Sequence, residues 1–103
     1  MVPIDSYQIY YHSAPSYKWQ AMVDFYFKNE FAGRAFFMKT GESLPANRIR
    51  NGKPVIHFPV SELGNLLLVM TMDKPVYLSV NESNGIGYIT TSNVSEGDLD
   101  ARE

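Results

Sequence analysis

The chain contains no cysteine, which excludes disulfides, zinc–thiolate sites and thiol chemistry. Histidine is nearly absent as well. His12 and His57 are the two present, and neither stands in a His-x-x-x-His or Glu-x-x-His spacing, so no metal site is expected. There is no Gly-x-Ser-x-Gly nucleophile elbow. No glycine-rich loop leads into a helix either, since Gly85-Ile86-Gly87 falls within a hairpin pattern. No two carboxylates are paired by spacing. A catalytic residue and a cofactor are therefore not called for, and a binding role stands ahead of an enzyme with no recognisable motif.

Long apolar runs are missing too. The longest, Leu66 to Met70, is far below the roughly 20 residues that span a bilayer, so no membrane association is expected. The start, MVPIDSYQ, has neither a basic stretch nor an apolar core of the secretory kind, and a cytoplasmic location is the expectation. A strong charge of either sign is also lacking, the formal net charge being −2. That balance is uneven along the chain. The stretch 93–103 carries Glu96, Asp98, Asp100 and Glu103 against Arg102 alone; without it, nine basic and eleven acidic residues become eight and seven.

What is present is a 103-residue chain, 45% hydrophobic and 14% aromatic. Such a composition fits one globular domain, expected over 1–92, followed by an acidic and disordered tail over 93–103. The segment YQIYYHSAPSYKWQAMVDFYF (7–27) holds eight of the aromatic rings. From 17 to 28 its odd positions are Tyr17, Trp19, Ala21, Val23, Phe25 and Phe27, and its even positions are mostly polar. Period two with one apolar face predicts a half-buried strand whose odd side is core. Further strands are expected over 7–12, 31–39, 48–50, 53–58, 76–81 and 86–92. Asn29-Glu30 is read as a tight turn, Gly33 as a bulge, and Asn51-Gly52 as a type I′ hairpin turn. Pro54 suggests an edge position for the strand that carries it.

Between the strands, Leu63, Leu66, Leu67 and Met70 fit the i, i+3, i+4, i+7 spacing of one helix, about 61–73, with Ser61 as its N-cap and Pro75 beyond its end. The fold class is thus α+β: a single antiparallel β-sheet of about five to seven strands built from hairpins, with one helix packed on one face.

Two patterns suggest contact with a partner. The first is Lys39 to Lys53, where Lys39, Arg48, Arg50 and Lys53 face one acid, Glu42. Arg48 and Arg50 are two apart on a strand and share a face, and Lys53 lies just across the Asn-Gly turn. The second is the polar side of the aromatic strand, where Met22 and Tyr26 stand out. The strand after it adds Phe36 and Phe37, which point to opposite faces, so one of them leaves the helix-covered side. Apolar groups on both faces of a sheet that one helix covers only once suggest an interface or ligand site. A small protein-binding module that forms a homodimer is the first expectation. The second is a single-stranded nucleic-acid binder, with cations on phosphates and rings under bases. Charged residues that merely keep an exposed hairpin edge soluble are the competing explanation for the basic stretch.

Overall fold

The computed structural model describes residues 2–72 and 75–91, so the acidic segment 93–103 lies outside the described residues. Alternation works as the period-two pattern requires in the middle of the aromatic stretch. Ala21, Val23 and Phe25 are fully buried along β3 (Trp19–Phe27), and Ala35 and Phe37 match them on β4 (Glu30–Met38). Burying side chains of this size contributes about 1.5–3 kcal/mol each for the larger ones. The two-residue turn between β3 and β4 consists of Lys28 and Asn29, both at positive φ, one residue earlier than Asn29-Glu30. Asp5 Oδ2 accepts a hydrogen bond from the Lys28 amide at 3.0 Å and supports this left-handed residue.

Five strands form one sheet in the order β2-β3-β4-β6-β5, with β2 at Ser6–Tyr11, β5 at Arg48–Arg50 and β6 at Lys53–Pro59. The β5–β6 turn is Asn51-Gly52, both at positive φ, as a type I′ turn demands. Its hairpin inserts its second strand beside β4, in parallel, and leaves Arg-Ile-Arg on the edge. The burial matches the composition: Pro54, Ile56 and His57 of β6 are buried, whereas the whole of β5 is exposed and its two arginines discourage further pairing at that edge. Pro54 therefore sits on an interior strand, not an edge. Pairing with β4 begins only at Val55, so the missing proline N–H is not needed there.

A second sheet, β1-β7-β8, comprises Val2–Ile4, Val76–Asn81 and Ile86–Thr90. It lies on the inner face of the five-stranded sheet. At Gly87 a Cβ would stand 2.7 Å from Ile56 Cγ2, so only glycine lets β8 approach β6 this closely. Helix α1 (Leu63–Met72) adds Leu66 and Met70 to the same core. It is preceded by a 3₁₀ turn over Val60–Glu62 that takes Pro59 as its cap, so Ser61 lies inside the helical segment and caps nothing. The fold is α+β, with mostly antiparallel pairing and one helix on the strands. The described strands number eight, shared between two sheets, and the second sheet covers the core side together with the helix. The other face of the five-stranded sheet is left without a covering layer among the described residues.

Candidate functional site

Two irregularities in the β3–β4 pairing decide what stands on that uncovered face. Trp19 pairs with Met38 and Ala21 with Phe37, so Gln20 is an extra residue on β3. At the other end, Phe25 pairs with Gly33 and Tyr26 with Phe31, which makes Ala32 an extra residue on β4. A bulge of one residue reverses the facing of everything beyond it. Trp19 consequently leaves the side of Ala21, Val23 and Phe25 and joins the outer face, against the expectation that it is core. Phe31 turns outward by the same step. The bulge expected at Gly33 is thus present, one residue earlier, at Ala32.

The outer face carries a continuous train of rings. Tyr17 stacks on Trp19 with centroids 5.7 Å apart, and Trp19 meets Phe36 at 5.9 Å. Phe36 stacks on His57, its neighbour across the parallel β4–β6 pair, at 5.5 Å. The Arg34 guanidinium lies 5.9 Å from the Phe36 ring and 5.4 Å from the Phe31 ring, and Phe31 meets Tyr26 edge-on at 6.2 Å. Such pairs hold one another in place by about 0.5–1.5 kcal/mol each. His12 caps the Tyr17 end, its ring edge-on to Trp19 with centroids 4.2 Å apart and its Nδ1 accepting from the Ala14 amide.

Beside this train lies a groove of about 480 Å³ lined by Phe31, Arg34, Phe36, Arg48, Arg50, Asn51, Lys53 and Val55. The basic hairpin and the aromatic sheet therefore meet in one place. Arg34 donates from Nε and Nη2 to Asp24 at 2.6 and 3.2 Å. That fork neutralises it and, by hydrogen bonding, holds its guanidinium still more firmly protonated. It is the one ion pair among the described residues. Among the described residues, Arg48, Arg50 and Lys53 thus have no carboxylate partner within the groove. The geometry comes from the β5–β6 register, which places Arg48 beside Val55 and Arg50 beside Lys53.

The remaining residues anticipated from sequence fall around this groove. Tyr26 flanks it through Phe31. Met22 is on the same face, opposite Phe36 on one side and Tyr10 on the other. Lys39 does not join the cationic set, because its Nζ is bound to the Ala14 carbonyl at 2.7 Å. No family model, curated protein or solved structure gives a significant match to this chain.

The site residues that sequence reasoning missed are Trp19, Phe31, Arg34 and His57. His57 is held in place by Asn47, whose Oδ1 accepts the His57 amide at 2.7 Å while its Nδ2 donates to the Gly85 carbonyl at 3.0 Å. Burial, and secondarily the nearby Arg48, push the His57 imidazole below its usual value, so it is neutral at pH 7. Among the described residues no group of three or more metal-ligating side chains comes together. No described helix is long and apolar enough to cross a membrane.

Proposed function

We propose that this protein binds single-stranded nucleic acid across the outer face of its five-stranded sheet. The observation that carries this reading is the groove in which three unmatched cations, Arg48, Arg50 and Lys53, stand beside the rings of Phe31 and Phe36. Cations attract phosphates without regard to sequence, and ring faces stack on bases that a duplex keeps inside. A single strand offers both groups at once, whereas a duplex offers only its phosphates. The overall charge of −2 does not oppose this, because the local charge is what a strand lying in the groove meets. A cytoplasmic location accords with such a ligand. The test is a fluorescence-anisotropy titration of labelled single- and double-stranded DNA and RNA at low salt. Single strands are expected to bind more tightly than duplexes of the same sequence. An unchanged anisotropy with every oligonucleotide refutes the reading.

A second reading, self-association into a homodimer, is supported by strand β2. It is an edge of the five-stranded sheet, and Ile9, Tyr10 and Tyr11 are exposed along it by 39%, 39% and 66%. The strand carries no charge and no proline to discourage pairing, so a second copy of β2 fits its open backbone edge. Light scattering at micromolar concentration is expected to return twice the 11.7 kDa chain mass under this reading. A monomer mass refutes it.

A further inference from the structure

The groove has a smaller neighbour on the same face. A recess of about 240 Å³ is lined by Trp19, Phe36, Met38, Pro45 and His57, and it shares Phe36 with the cationic groove. Its volume falls below the roughly 300–1,000 Å³ of sites for drug-sized ligands, which leaves room for a single flat ring system. Its walls are almost wholly apolar, with Trp19 and Phe36 inclined at 64° to one another. The exception is His57, whose side chain lines the recess while the residue is only 8% exposed. Its Nδ1 is buried without a partner, so Nε2 is the ring nitrogen that a ligand in the recess can reach. Because the imidazole is neutral, it offers a hydrogen-bonding group and not a charge.

An apolar corner with one polar handle, opening beside three unmatched cations, has a definite complement. The ligand must be flat and heteroaromatic at one end and anionic next to it. On this basis, which rests on the single-strand reading above, we propose that the recess seats one unstacked nucleobase of the bound strand. The base packs on Trp19 and Phe36 and offers a polar edge to His57, while its flanking phosphates lie against Arg48, Arg50 and Lys53. Phe36, common to both cavities, sets the base next to the phosphates. The bulge at Gln20 is what makes the seat, since without it Trp19 faces the core. Base packing on aromatic side chains is sequence-tolerant, and the His57 contact adds the preference among bases that stacking lacks.

Trp19 is the single tryptophan of the chain, so its emission reports on one wall of this recess. The experiment follows Trp19 fluorescence and the anisotropy of a labelled single-stranded oligonucleotide in the same titration. The expected result is quenching with the same midpoint as the anisotropy rise. Phe36→Leu weakens binding at least about five-fold, the low end for loss of one stacked base. His57→Phe, which retains a ring against Phe36, reduces the spread of affinities among homopolymers of different base. An anisotropy rise without quenching overturns the base seat and leaves the single-strand reading standing. No rise in anisotropy overturns both. An unchanged spread in His57→Phe overturns the role given to that side chain. A mononucleotide arm separates a strand from a free nucleotide. Quenching by a mononucleotide at the oligonucleotide's midpoint concentration overturns the assignment to a strand, because one nucleotide cannot reach all three cations.

Discussion

Replacing Arg48 and Arg50 together by alanine tests the groove quantitatively. Both residues are exposed on the edge strand β5, so their removal changes stability by no more than about 0.5 kcal/mol each. Each phosphate neutralised on a single strand contributes about −0.7 to the slope of log K against log salt. The three unmatched cations then give the wild type a slope of about −2, and the double variant one of about −0.7. Between 50 and 200 mM salt the wild type loses about 18-fold in affinity and the variant about 2.6-fold. The assay is anisotropy of a labelled oligonucleotide over that salt range, with circular dichroism to confirm that the variant is folded. A variant slope equal to the wild-type slope refutes the placement of phosphates in this groove. A wild-type slope beyond about −5 refutes it as well, because it requires more cations than the groove holds.

Three other outcomes follow from the same geometry. Asp24→Asn frees Arg34 from its anionic partner; the salt slope should steepen by about 0.7, while stability falls by about 1 kcal/mol in chemical denaturation as the guanidinium exchanges a charged acceptor for a neutral one. Gly87→Ala places a Cβ 2.7 Å from Ile56 Cγ2 in the core, at a cost of about 1–3 kcal/mol; this lowers the melting temperature by about 4–8 °C per kcal/mol, and an unaltered melting temperature contradicts the packing of the two sheets. The lowered His57 value has a signed consequence for stability. Well above pH 6.5 the imidazole is neutral both folded and unfolded and contributes no pH dependence. As pH falls below 6.5 the unfolded chain takes up the proton first, so stability drops until the folded-state value is passed. Below about pH 6.5, His57→Phe is therefore expected to show a flatter stability profile than the wild type.

Much of the scaffold could be read from local pattern. The alternation of Ala21, Val23 and Phe25, the Asn51-Gly52 turn and the spacing of Leu66 and Met70 each follow from nearest-neighbour chemistry, and each stands where that chemistry puts it. Arg48, Arg50 and Lys53 were legible as a cationic group for the same reason, since a two-residue turn fixes their register. Trp19 and Phe31 were not. Gln20 and Ala32 fit an alternating pattern as well as any polar or small residue, and only the pairing of β3 with β4 makes them extra. The role of Lys39 likewise depends on Ala14, twenty-five residues away. Arg34 and Asp24 are ten apart in sequence, and the β3–β4 register brings them face to face. The division of the strands into two sheets follows from long-range packing such as Gly87 on Ile56, which period-two patterns do not encode.

On the proposed reading, a single strand lies across the uncovered face of the five-stranded sheet. Backbone amide chemical-shift mapping with an unlabelled single-stranded oligonucleotide tests it most directly. The largest shifts are expected at Phe31, Arg34, Phe36, Arg48, Arg50, Lys53 and His57, with helix α1 and strand β8 nearly unchanged. Shifts centred on Leu63–Met72 and Ile86–Thr90, with β4, β5 and β6 silent, contradict it.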